Sequence, residues 1–198
     1  MNSISTITDY LLISGQTAVQ NVNLRMHSVT CVIDATEYAR PHLAKHIEYV
    51  KVPICDRDRA PIHDYFDSVT DKIHQHRNKG GCTLVHCVLG KSRSATLCLA
   101  YMVRFDNMTL KEAFKRLEMA RPLVSPNMGF WWRLIEYERK CRKGPSSVSM
   151  VDIAHATPSR IPDVLLETRL ATAGSLASVR GQYNRAATVA SARPLWRR

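Results

Sequence analysis

"GGCTLVHCVLGKSRSATLCLAYMVRF", residues 80–105, decides how this chain folds. Two glycines open it as a turn. "CTLV" follows as a short apolar run that reads as a buried strand, and "SATLCLAYMV" is apolar over a length that suits a helix. Between them lies "HCVLGKSRS" (86–94), with an arginine six positions after its cysteine. A strand, a short loop and a helix in succession put the loop's backbone N–H groups at a helix N-terminus. Hydrogen bonds and the helix dipole both favour an anion there. In open α/β sheets ligands sit beyond the carboxyl ends of the strands, which is where this loop falls.

The same alternation runs outward from this stretch. "DYLLIS" (9–14), "VTCVIDAT" (29–36) and "IEYVKVPI" (47–54) read as further strands, the last ended by Pro53 and the charges after it. "TAVQNVNLRMH" (17–27) has helical character. In "PIHDYFDSVTDKIHQHR" (61–77), Ile62, Phe66, Val69 and Ile73 mark one face of an amphipathic helix, with Pro61 at its start. "TLKEAFKRLEMAR" (109–121) opens with Thr109 and Glu112 at capping-box spacing. "PNMGFWWRLIEYERKCR" (126–142) is a last helix with Phe130, Leu134 and Tyr137 along one side. The pattern predicts an α/β fold: a mostly parallel twisted sheet of about five strands flanked by helices.

The chain has 198 residues, 45% hydrophobic and 23% charged, as expected for one globular domain and a tail. Residues 1–142 form the expected catalytic domain, 143–167 an extension packing on or near it, and 168–198 a disordered basic tail. That tail carries no acidic residue and is rich in Ala, Ser, Thr and Arg. No apolar run approaches the roughly 20 residues that span a bilayer. The first residues lack the pattern of a secretory signal, and position 2 is not glycine, so neither secretion nor myristoylation is expected. The six cysteines are scattered and form no C-x-x-C, which points to a reducing compartment without disulfides or a zinc ribbon. Cytoplasm is the expected location, with nucleus and mitochondria as alternatives.

The formal net charge is +11. Residues 1–142 carry 20 Lys/Arg against 14 Asp/Glu, and residues 143–198 carry 8 against 3. A basic surface suits anionic partners such as phosphoproteins or anionic lipid headgroups. No nucleic-acid partner is expected.

The chemistry sits in residues 87–93. A loop of this length can wrap a tetrahedral oxyanion with the amides of Val88, Leu89, Gly90, Lys91, Ser92 and Arg93. Gly90 supplies backbone freedom, and Arg93 offers a planar fork for two oxygens. A helix N-terminus and nearby cations lower a thiol's pKa to about 3.5–7.5, so Cys87 reads as a thiolate nucleophile towards phosphorus. His86 points the other way along the strand and buttresses the loop.

"HCVLGKSRS" resembles the HC-x5-R-S/T signature of cysteine-dependent protein tyrosine phosphatases in its S-R-S form. "YVKVPICDRDRAPIHDYFDSVTDKI", "SRSATLCLAYMV", "RPLVSPNMGFWWRLIEYE" and "SVSMV…IPDV" extend the likeness to the small atypical dual-specificity phosphatases over about residues 3–165. The resemblance implies the cysteine-phosphatase fold and hydrolysis of phosphotyrosine and phosphoserine/phosphothreonine through a cysteinyl-phosphate. It makes Cys87 the nucleophile and assigns the phosphoryl oxygens to Arg93 and the loop amides. Ser94 would stabilise the departing thiolate, and Asn127 would steady the loop. The general acid falls on Asp56, 31 residues before Cys87, rather than on Asp58. Low-molecular-weight phosphatases carry their loop near the N-terminus with the acid downstream. Sulfurtransferases lack the S-R-S ending and the acid.

Two positions depart from the common family form, Leu89 and Lys91. A lysine at position 91 resembles lipid phosphatases, so action on phosphoinositides stands as the alternative. A phosphoprotein-binding pseudophosphatase is a third reading, weakened by the presence of Cys87, Arg93 and Asp56. His74 and His76 lie two apart on a helix with no further ligand cluster, and read as surface residues. No metal or cofactor is expected.

Overall fold

Strand residues alternate between two apolar faces, and that alternation fixes the layers of this fold. In the computed structural model, which describes residues 3–38, 43–152 and 160–167, five strands form one sheet. They are β1 (Ser5–Thr6), β2 (Leu11–Gly15), β3 (Val29–Asp34), β4 (Glu48–Lys51) and β5 (Cys82–Cys87). The spatial order is β1-β2-β5-β3-β4. β2, β5, β3 and β4 run parallel, while β1 pairs antiparallel with β2. The fold class read from the sequence is therefore observed. β5 is central and all six of its residues are buried, as a strand covered on both faces requires.

Leu12, Val32 and Leu84 face a layer that includes Leu24 of α1 (Asn21–Met26), closed by Val19 and Ile47. The opposite face takes α2 (Phe66–Asn78) and α3 (Arg93–Phe105), with α4 (Leu110–Ala120) and α5 (Met128–Arg142) packed against α3. α3 is the apolar helix of the opening stretch, buried from Arg93 to Val103. The helical character at 17–27 resolves into a 3-10 turn over Gln16–Ala18 and then α1. β4 is shorter than 47–54. Pro53 has no N–H for a ladder, although Val52 still donates to Asp34 O at 2.9 Å.

Some elements lay outside the sequence reading. β1 is two polar residues with no periodicity to reveal it. Beyond Ser149 a separate compact unit begins, with β6 (Met150–Asp152) antiparallel to β7 (Arg160–Pro162). The expected tail, 168–198, lies outside the described residues. His74 and His76 are less exposed than read. The His74 ring stacks on Phe105 with centroids 4.0 Å apart, and His76 lies 2.8 Å from Glu48 Oε2. Among the described residues no three His, Cys, Asp or Glu gather as a metal site, and no helix is long and apolar enough to cross a membrane. The six cysteines are free.

Two hydrogen-bond arrangements fix the helices behind the sheet. Thr109 Oγ1 accepts from Glu112 N at 3.2 Å while Thr109 N donates to Glu112 Oε2 at 2.8 Å, the capping box read from the sequence. Glu138 is fully buried. Its carboxylate accepts from Leu110 N at 2.7 Å, Ser147 N at 2.8 Å and the Ser146 hydroxyl at 2.5 Å, joining α4, α5 and the 146–148 turn. Truncating Glu138 leaves buried donors without an acceptor, whereas Thr109 loses only a cap. Glu138→Ala is expected to cost about 3 kcal/mol and Thr109→Ala about 1 kcal/mol in urea unfolding of the purified protein. Equal costs would contradict this ranking.

Candidate active site

The loop from Cys87 to Arg93 takes its shape from where its carbonyls go. Val88 O accepts from Gln16 N at 3.1 Å, and Lys91 O accepts from Ser125 N at 2.8 Å. Leu89 O and Gly90 O both accept from one guanidinium, Arg121 Nη2 at 2.9 Å and Nε at 2.8 Å. Four consecutive carbonyls are thus drawn outward, which leaves the N–H groups to face the loop's centre. Arg121 is buried and also donates to Ser5 Oγ at 3.2 Å. It was not among the residues singled out from sequence, because a lone arginine after α4 carries no local signal of a contact 31 residues away.

Gly90 has φ 68°, and a Cβ there would lie 2.5 Å from Ser14 O. Both the left-handed backbone and the approach to β2 require glycine. Leu89 is 52% exposed and Lys91 is also exposed, so neither side chain fills the loop.

Cys87 is buried at the end of β5, where its Sγ accepts from Gly90 N at 3.3 Å and from the Ser94 hydroxyl at 3.2 Å. Burial alone would push the thiol up. The Ser94 hydroxyl, the backbone N–H groups of Ser94 and Lys91, and the Arg93 charge together outweigh it, and the pKa falls below the ordinary thiol value. Two other buried cysteines of the sheet show the contrast. Burial pushes Cys31 up to about 12 and Cys82 up to about 11.

Asp56 lies on the loop after β4 and is brought to the same place. Its Oδ1 accepts from Ser92 Oγ at 2.6 Å and Asn127 Nδ2 at 2.9 Å, and its Oδ2 stands 3.7 Å from Arg93 Nε. Arg93 also donates to Ile54 O at 3.1 Å. The loop is seated further along by Gly129, where a Cβ would overlap the Asp58 backbone. Asp58 itself is exposed and makes none of the contacts that hold Asp56. Asn127 caps α5 by accepting from Phe130 N at 2.9 Å, and its own N–H donates to Ser92 Oγ at 3.2 Å. One residue therefore links the loop, the Asp56 carboxylate and a helix.

His86 is 1% exposed, beneath the loop. Its Nε2 lies 3.7 Å from Asp34 Oδ1, its register partner on β3. Burial lowers its pKa more strongly than Asp34 raises it, so His86 is neutral near pH 7. A cleft of about 240 Å³ opens above the loop. Val88 and Arg93 line it from the loop side, Cys55, Asp56 and Arg57 from the loop after β4, and Glu37 and Tyr38 from the turn after β3.

A cysteine whose pKa is lowered in a cradle of amides, with an arginine and a carboxylate at its mouth, suits phosphoryl chemistry. The family model for the dual specificity phosphatase catalytic domain matches residues 11–140. The chain belongs to the dual specificity phosphatase family. Mouse dual specificity protein phosphatase 14 is 44% identical over 165 residues, covering 83% of this chain and 81% of its own. Mouse dual specificity protein phosphatase 18 is 38% identical over 172 residues, covering 86% and 89%. Among solved structures, a mouse putative dual specificity phosphatase complexed with zinc tungstate superposes with a TM-score of 0.69 at 26% identity, over 72% of this chain and 91% of that one. This member is a dual specificity protein phosphatase, a hydrolase of phosphoproteins. The phosphoinositide and binding-only readings find no support in these relatives.

Arg121 gives a direct test of how the cradle is held. Lysine cannot reproduce a fork that serves two carbonyls. We expect Arg121→Lys to lower kcat/KM for p-nitrophenyl phosphate by about tenfold or more, since small misplacements of reacting groups cost up to about 100-fold. An unchanged rate would show that the other contacts suffice.

Proposed function

We propose that this dual specificity phosphatase works through two displacements at Cys87, with Asp56 moving the proton. The observation that carries the reading is the lowered pKa of Cys87 inside a loop whose four carbonyls face outward. In the first step the Cys87 thiolate attacks phosphorus. A P–S bond forms, the P–O bond to the substrate side chain breaks, and Asp56 gives its proton to the departing oxygen. In the second step water attacks phosphorus and gives a proton to Asp56. The P–S bond breaks, inorganic phosphate leaves, and the thiolate returns to the Ser94 hydroxyl.

Arg93 and the amides of residues 88–93 hold the three phosphoryl oxygens as charge shifts between nucleophile and leaving group. The mouse relative is complexed with zinc tungstate, and tungstate is a tetrahedral oxyanion like phosphate, which agrees with an oxyanion-binding family. Asn127 and Ser92 keep the Asp56 carboxylate at the cleft mouth, and His86 buttresses the loop from below. Phosphorylated proteins are the substrates, and the exposed Lys91 adds positive potential at the rim.

The mechanism sets the pH profile. Cys87→Ser is expected to abolish measurable turnover of phosphopeptides. Asp56→Asn is expected to slow turnover by about 10²–10⁴-fold, most for poor leaving groups. Ser94→Ala removes a donor to the thiolate, so the Cys87 pKa rises and the acid limb moves to higher pH. A limb that stays in place, or active Cys87→Ser protein, would contradict this reading.

A further inference from the structure

One wall of the cleft has no task in the two displacements. It is the turn after β3, where Tyr38 is 58% exposed and lines the cleft together with Glu37 and with Arg57 of the loop after β4. An exposed tyrosine is ordinary on a surface, but the backbone of this one is anchored. Tyr38 O accepts from Lys51 Nζ at 2.6 Å, and Tyr38 N donates to Thr36 Oγ1 at 3.3 Å. Lys51 Nζ donates as well to Thr36 Oγ1 at 3.2 Å and to Asp34 Oδ2 at 2.9 Å. The three donors of the ammonium are therefore all committed, two of them to this turn.

Asp34 carries the anchor into the core. It is 1% exposed and its Oδ2 also accepts from Tyr49 OH at 2.6 Å. It pairs in register with Lys51 on β4 and with His86 on β5, one residue before Cys87. The height of the Tyr38 turn above the phosphate loop is thus set by the same rung of the sheet that sets the loop. A solvated lysine at a sheet edge would leave the turn free of that register.

A phosphotyrosine bound with its phosphoryl group in the loop must pass its ring up through this cleft. A phosphothreonine presents only a methyl group and its own backbone there. We propose that Tyr38, held by Lys51, is a specificity-determining residue that packs on the ring of phosphotyrosine and biases this phosphatase towards phosphotyrosyl over phosphothreonyl substrates. Arg57, which lines the same cleft, supplies a guanidinium that can favour the face of the same ring. The proposal rests on the reading of residues 87–93 as the phosphate site.

The test compares kcat/KM for two peptides of one sequence, one with phosphotyrosine and one with phosphothreonine at the same position. Aromatic pairs are worth enough to change a rate ratio about threefold to tenfold. Tyr38→Ala is expected to lower the tyrosyl-to-threonyl ratio by that factor, through KM of the tyrosyl peptide, and Tyr38→Phe to preserve it. Lys51→Met frees the turn and is expected to move the ratio the same way. Equal losses on both peptides, or an unmoved ratio in Tyr38→Ala, would overturn the proposal while leaving the phosphate loop intact. Turnover that survives Cys87→Ser would instead sink the loop reading, and this proposal with it.

Discussion

Everything in the active site depends on four carbonyls, those of residues 88–91, being turned away from Cys87. A peptide unit that points its C=O outward points its N–H inward. The loop becomes an anion site only because Gln16 N, Ser125 N and the Arg121 fork take up those carbonyls. The donors come from three places: the end of β2, the segment before α5 and the residue after α4. The cradle is therefore a product of tertiary packing around a local motif. Gly90 makes the contact with β2 possible, since a side chain there would strike Ser14 O. With the carbonyls removed, donors predominate around the sulfur, which explains why burial fails to raise its pKa.

Beneath the cradle lies a polar rung that crosses four strands. Ser14 pairs with His86, His86 with Asp34, and Asp34 with Lys51. Three of these residues are fully buried, and Ser14 Oγ and Asp34 Oδ1 have no hydrogen-bond partner. A bare carboxylate at that depth would oppose a thiolate one residue along β5. Lys51 answers the charge from the sheet edge, and its hold on Asp34, with that of Tyr49, outweighs burial and keeps the Asp34 pKa low. The pair is neutral overall, so the Cys87 sulfur sits above a rung with no net charge. The same lysine holds the backbone of the cleft wall at Tyr38, which ties the electrostatics around Cys87 to the shape of the cleft.

The sequence made the centre of the fold legible because the centre is contiguous. Strand, loop and helix follow one another from residue 82 to 105, and apolar runs of different period mark them. The capping box at Thr109 was readable for the same reason: its two partners are three residues apart. The preference for Asp56 over Asp58 came from the family resemblance, since the two have the same chemistry; the contacts of Asp56 with Ser92, Asn127 and Arg93 are long-range and left no mark in the sequence. Arg121 and the Asp34–Lys51 pair were illegible because their partners are set by strand order and helix packing. One signal was present: an aspartate closing the otherwise apolar strand "VTCVID" needs a partner when buried. His74 and His76 show the reverse case, where polar residues on an amphipathic helix found Phe105 and Glu48 instead of solvent.

Three cysteines of this sheet separate residue type from position. Cys31, Cys82 and Cys87 are all buried, yet burial pushes the first two up while the third falls. Cys31 and Cys82 sit within or at the start of their strands, where ladder bonds already occupy the backbone. Cys87 ends β5, and past that point the chain has turned its N–H groups back on the sulfur. The reactivity of a thiol in this fold is thus a property of the carboxyl end of the central strand. By the same logic a cysteine moved one residue back, to the position of His86, would face the polar rung and lose every donor that activates it.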